Sequence, residues 1–358
     1  MINKIKNDIL TPSQFIFTVL GTMLGLGILS LPNTLVKISQ QDSWISTALG
    51  AVYPLYISLI CIYVSKKYPN HNILFLSKKY FGNFLGSILN LLFLIQFTIY
   101  SFGVSSGYTN LTRVFTAEFL TPLKLIIVIT TVCLYTASKG IQVIGKMCEI
   151  IFYITLPLIF LPLFALNKSS ILNLLPIFGS GLSNILKGSI ETVFSYTGIE
   201  VLFLIYPYIN DKNKIKISSL KAVSLTAFIY IWIIFITIYY FSLDVTSKSL
   251  WPFLSASEII DIPLINNFRY LFVLSWSFII LKTITIQYFI VVTILKDFMK
   301  KTNPKKIYFF IYPILICLPL FFTNEVMRRN FFGKVIPLTV IFSIIYVSSI
   351  ALLVRIKG

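Results

Sequence analysis

The chain has 358 residues, of which 57% are apolar and 12% charged, whereas soluble domains average about 45–50% apolar and about 25% charged. That balance excludes a soluble globular protein and marks an integral membrane protein. The formal net charge of +18 does not point to nucleic acid, because the lysines fall in short loops between apolar stretches and form no basic face.

A helix crosses a bilayer with about 20 apolar residues. Ten stretches fit, at roughly 13–36, 44–64, 84–107, 123–138, 147–166, 188–208, 220–242, 268–296, 307–323 and 333–354. Met1 to Asp8 is polar and no cleavage pattern follows, so no cleavable signal peptide is expected. Of the 30 basic residues, 19 fall in the segments that share a side with both termini and 10 on the opposite side. The positive-inside rule therefore predicts cytoplasmic termini. Ten spans divide into five plus five, and an odd number per half forces the second half into the inverted orientation. The expected fold is an all-α polytopic membrane protein, a single domain over 1–358, with repeat one at about 13–166 and repeat two at about 188–354.

The first span is interrupted at Gly21-Thr22-Met23-Leu24-Gly25-Leu26-Gly27, with Pro32 shortly after. In lipid, helix breakers survive only where the freed backbone groups line a cavity or a ligand. Gly25, Leu26 and Gly27 are thus candidate ligand-binding residues, the glycines permitting an unwound segment whose amides suit a carboxylate. Gly21-x-x-x-Gly25 also fits a close helix-packing face.

In the third span Gln96, Tyr100, Gly103 and Val104 lie about one turn apart, and Tyr100 and Val104 are taken as candidates. The sixth span is interrupted at Ser195-Tyr196-Thr197-Gly198-Ile199-Glu200 and closes at Tyr206-Pro207. Interruptions at matching places in two halves are the pattern of a substrate site near the bilayer midplane, so Thr197, Gly198, Ile199 and Glu200 join the set. Glu200 sits near mid-depth, where a carboxylate should face a cavity, a cation or a ligand amine.

Lys282 lies at similar depth in the eighth span, beside Thr283, Thr285, Gln287 and Tyr288. Lys282, Thr285 and Tyr288 are candidates. Either Glu200 and Lys282 pair, or Glu200 serves a ligand ammonium while Lys282 is a fixed charge or a proton-responsive switch. Cys61, Cys133, Cys148 and Cys317 show no metal-ligand spacing and read as small buried hydrophobes. No catalytic set, phosphate loop, cofactor motif or metal motif is expected, and an enzyme is not predicted.

Five pieces stand in order along the chain: Leu10-Thr11-Pro12-Ser13-Gln14 with Gly25 through Pro32; Gln41-Asp42-Ser43-Trp44-Ile45; Leu111-Thr112-Arg113 with Thr121-Pro122; Gly198-Ile199-Glu200 with Tyr206-Pro207; and Leu250-Trp251-Pro252. Together they resemble the spore-germination permease family, the B subunits of nutrient germinant receptors of bacterial endospores, over essentially the whole chain. Before Trp276 the family shows a Glu-Arg-x-Asp-like cluster, where this chain has Asn266-Asn267-Phe268-Arg269. The resemblance implies the amino acid–polyamine–cation superfamily fold with broken helices 1 and 6. It also implies a spore inner-membrane location and assembly with A and C subunits. A small nutrient, most often an L-amino acid, would then bind between spans 1, 3, 6 and 8. A proton-coupled amino-acid permease of the plasma membrane shares fold and pocket and is the alternative.

Overall fold

The structure is a computed structural model that describes residues 9–160, 162–163, 169–256 and 268–357. Met1–Asp8, Asn266 and Asn267 lie outside the described residues. Helix α1 (Pro12–Met23) opens on a capping box: the Thr11 hydroxyl accepts from the Gln14 amide, and the Gln14 side chain accepts from the Thr11 amide. Pro12 at the first helical position loses no useful donor. The chain unwinds over Leu24–Leu26 and resumes as α2 (Gly27–Ser39). Helices α3 (Ser43–Gly50) and α4 (Val52–Lys67) then form the second apolar stretch.

Helix α5 (Ile73–Phe115) bends at Gly82, where φ is 79°. Its first part falls in a stretch the hydropathy pattern leaves as a loop. Asn72 caps it through the Phe75 amide, and it buries Ile73, Leu74 and Leu76, so it folds back as a short helix. Helices α6 (Pro122–Ala137), α7 (Ile141–Phe160) and α8 (Leu182–Ser195) follow. The sixth span resumes as a 3-10 turn (Ile199–Val201) and α9 (Leu202–Ile205). The remaining helices are α10 (Ile215–Tyr240), α11 (Leu243–Lys248), α12 (Pro252–Ala256), α13 (Phe268–Phe298), α14 (Pro304–Leu320) and α15 (Glu325–Lys357).

Each of the ten stretches read from the sequence contains helix where it is described, and the first and sixth are broken at Leu24–Leu26 and Tyr196–Gly198. By length and apolar content alone, six helices among the described residues qualify as spans, or seven when α8 and the segment Ile199–Tyr208 count as one bent span. Helix α6 is shorter, at 16 residues. Large apolar side chains such as Phe309, Phe310, Leu338 and Ile345 stay exposed on the bundle's perimeter, as a lipid-facing surface requires. Cys61, Cys133 and Cys148 are buried, but Cys317 is exposed, because it lies on the outer face of α14.

Spans one and six run side by side in opposite directions. Leu10 and Ile209 form a parallel bridge between the start of span one and the end of span six, with the Leu10 amide 2.8 Å from the Tyr208 carbonyl. Helix α2 packs on α8 at the other end, α1 packs on α7 and α10, and α13 packs on α5. Beside them, the Asp42 carboxylate accepts from the Phe178 amide at 2.8 Å and from the Ser180 amide at 2.9 Å. That contact pins the loop before α8 to the entry of α3.

Candidate functional site

The two interruptions meet. Ser195 ends α8, Gly198 carries φ 105°, and the sixth span turns by 48° there. The Thr22 hydroxyl lies 2.7 Å from the Val19 carbonyl and 3.0 Å from that of Gly198. The Tyr230 hydroxyl, from α10, lies 2.9 Å from the Met23 carbonyl and 3.0 Å from that of Ser195, the last residues of α1 and α8. From α13, the Thr283 hydroxyl lies 2.8 Å from the Gly21 carbonyl and 3.0 Å from that of Leu24. Carbonyls that the breaks release therefore find hydroxyl donors on neighbouring helices, the condition for irregular backbone inside a bundle.

A cavity of about 160 Å³ opens at this crossing. Of the residues anticipated from the sequence, Gly25, Leu26, Gly27, Tyr100, Val104 and Thr197 line it. The first turn of α2 faces it with no side-chain cap on its amides. The Tyr100 hydroxyl receives a hydrogen bond from Gln96 at 2.8 Å and lies 3.1 Å from Thr339.

Gly198, Ile199, Glu200, Lys282, Thr285 and Tyr288 are not among the lining residues. Glu200 is fully buried behind the cavity. One carboxylate oxygen accepts from the Tyr53 hydroxyl at 2.5 Å and the other from the Gly198 amide at 2.7 Å. The carboxylate thus fills the N-terminal end of the resumed sixth span. No ion pair joins it to Lys282 among the described residues, where the lysine ammonium has no hydrogen-bond partner. The Lys282 stem packs at Gly21, its Cδ and Cε 3.6 Å from where a Cβ would stand. Thr285 bonds back to the Leu281 carbonyl at 2.8 Å, and the Tyr288 hydroxyl lies between Ser105 and Thr130, 3.4 Å from each.

The face of α13 turned to the cavity carries Thr283 and Gln287 instead, one turn apart. Gly103, Phe194, Ser195 and Phe332 complete much of the wall, and Arg328 of α15 brings the one charge found among the described lining residues. Loop arithmetic placed Arg328 outside the membrane region, whereas α15 begins at Glu325, eight residues before the apolar stretch starts.

Comparison with known proteins shows the family and the fold. The sequence profile of the family described as "Spore germination protein" matches residues 9–328. The chain is 26% identical to spore germination protein GerQB of Bacillus cereus over 277 residues, 77% of this chain and 76% of that protein. It is 26% identical to spore germination protein YndE of Bacillus subtilis (strain 168), covering 88% of each. Among solved structures, a nucleobase-cation-symport-1 family transporter in a closed conformation aligns with a TM-score of 0.66, covering 90% of this chain and 74% of that one at 12% identity. A Na+-coupled sialic acid symporter aligns with a TM-score of 0.61, covering 92% and 76% at 12% identity. At that identity the likeness speaks for the fold, which is transporter-like. The profile match extends over nearly the whole chain, and the protein belongs to the spore germination protein family of membrane permease-like proteins.

Proposed function

We propose that this chain is the nutrient-sensing B-type subunit of an endospore germinant receptor. It has ten spans in two inverted five-span repeats, sits in the spore inner membrane with both termini on the core side, and acts with A and C subunits. A small nutrient, an L-amino acid in this reading, binds in the cavity between spans 1, 3, 6 and 8. The observation that carries the reading is the cavity itself, which lies where both broken spans cross and is walled by an uncapped helix start. Binding shifts a conformational equilibrium through differential affinity for two states, and the partner subunits read that shift out. Gly25 is the position to block: a Cβ there makes ordinary contact with Thr283 at 3.5 Å, so alanine fits and a larger side chain enters the cavity.

Transporters with the same fold favour a second reading, a proton-coupled amino-acid permease. Labelled L-amino acids added to proteoliposomes holding the chain at known density separate the two. A plateau near one ligand per protein, lost in Gly25→Phe and insensitive to internal volume, supports the sensor. Uptake that scales with internal volume and collapses with an uncoupler supports the permease. Binding unchanged in Gly25→Phe would remove the cavity from either reading.

A further inference from the structure

Arg328 stands one turn into α15 with its guanidinium at the cavity wall. Its Nε and Nη2 donate to the two Glu325 oxygens at 2.8 and 2.5 Å, and Nη1 donates to the Gly103 carbonyl at 3.3 Å. A guanidinium has five N–H donors in a fixed fork, so one donor on each terminal nitrogen is left over. Glu325 also accepts from Arg329 at 2.9 Å and from Asn110 at 3.2 Å. One carboxylate thus serves two guanidiniums, and the cluster keeps a surplus positive charge.

Across the lining, Gln287 of α13 is 3% exposed and its amide oxygen has no donor among the described residues. A buried acceptor without a partner is costly, and a bound N–H removes the cost. The start of α2, which has no side-chain cap, adds a positive dipole end on the same cavity. The corresponding end of the sixth span is already occupied by Glu200. No carboxylate is found among the described lining residues, so Arg328 sets the sign of the charge there.

We propose that Arg328 and Gln287 are the specificity-determining residues of this cavity. The free edge of Arg328, with the α2 amides, takes a ligand carboxylate in a charge-assisted bond. The Gln287 oxygen takes an N–H of the ligand's ammonium. Glu325 tunes the site, because it holds half of the Arg328 donors and competes with an incoming carboxylate for the rest. At about 160 Å³ the cavity is smaller than the roughly 300–1,000 Å³ of drug-sized sites, so the ligand is a zwitterion with a small side chain. The assignment rests on the cavity proposed above as the nutrient site.

The test uses the full chain in lipid nanodiscs, titrated calorimetrically with L-alanine and L-valine, the amide of each, and propionate and isovalerate, which lack the ammonium. At least one amino acid should bind the unaltered chain ten or more times tighter than its amide or its deaminated acid. Arg328→Gln should erase the preference over the amide, and Gln287→Leu the preference over the deaminated acid. Glu325→Gln should tighten amino-acid binding several-fold, a gain that a misfolded protein cannot produce. If Arg328→Gln and Glu325→Gln both leave the acid-to-amide ratio unchanged while Gly25→Phe abolishes binding, the cavity stands and the Arg328 assignment falls. Amino-acid binding that survives Gly25→Phe would sink the cavity reading itself. Failure of both amino acids to bind the unaltered chain would overturn the zwitterion.

Discussion

Thr22 and Gly198 touch where the two broken spans cross: the threonine hydroxyl lies 3.0 Å from the glycine carbonyl, and a Cβ on Gly198 would stand 2.7 Å from the Thr22 carbonyl oxygen. With φ at 105°, the backbone there is one that L side chains rarely adopt. Gly198→Ala should therefore suffer twice, by about 1–2 kcal/mol for the left-handed conformation and by about 1–3 kcal/mol for overpacking. The expected result is a lower melting temperature in nanodiscs together with weakened ligand binding. An alanine variant with unchanged melting and affinity would mean that the two spans separate without consequence.

Tyr53 and Glu200 tie span two to the resumed half of span six through a buried hydrogen bond of 2.5 Å. The other Glu200 oxygen holds the Gly198 amide, so the carboxylate fixes the break from behind and not from within the cavity. Tyr53→Phe and Glu200→Gln should each lower the melting temperature. Because they remove the same contact, the double variant should fall short of the sum by a coupling of about 0.5–3 kcal/mol. Strict additivity would show that the two residues act separately.

Thr283 and Thr285 make a matched pair of tests on one helix. The Thr283 hydroxyl lies within hydrogen-bond reach of the Gly21 and Leu24 carbonyls at the first break and of Ile279 in its own helix, while that of Thr285 bonds to Leu281 in its own helix and reaches neither break. Thr283→Val leaves buried carbonyls without a donor, at a cost of about 1–3 kcal/mol, and should also reduce ligand affinity. Thr285→Val should change both far less. Equal effects in the two variants would show that the first break does not depend on Thr283.

The breaks themselves were legible in the sequence, because glycines, a proline and a lone carboxylate stand out in apolar stretches that lipid would otherwise keep helical. Which residues of α13 face the cavity was not. That helix is enclosed by α5, α6, α7 and α1, so apolar side chains surround it and no amphipathic stripe gives its rotation. Thr285 and Tyr288 read as plausibly as Thr283 and Gln287, yet only the latter two reach the cavity. Arg328 escaped for another reason. Hydropathy dates a helix from its first apolar residues, whereas Asn324 caps α15 through the Val326 amide at 2.9 Å and starts it early. Asp42 was visible only as part of a motif; its grip on Phe178 and Ser180 joins residues 136 or more apart, a separation that local patterning cannot read.

Lys282 is fully buried with no partner for its ammonium among the described residues. Its stem packs at Gly21, beside the break yet outside the cavity wall. A buried charge without a counter-charge opposes folding, and apolar replacements of similar volume at buried ionic positions are often neutral or stabilising by about 1–4 kcal/mol. Lys282→Met keeps the length of the stem and removes the charge. Its melting temperature in nanodiscs should rise, with L-alanine and L-valine binding unchanged because the residue does not line the cavity. Loss of binding in Lys282→Met would instead put the ammonium in reach of the ligand. A lower melting temperature would mean that the folded protein relies on the charge. With both excluded, what keeps a lysine at this depth is its charge during a change of state, and the difference between unaltered and Lys282→Met chains should then appear in the ligand-driven conformational shift, read by a fluorescent label on the N-terminal end of α15.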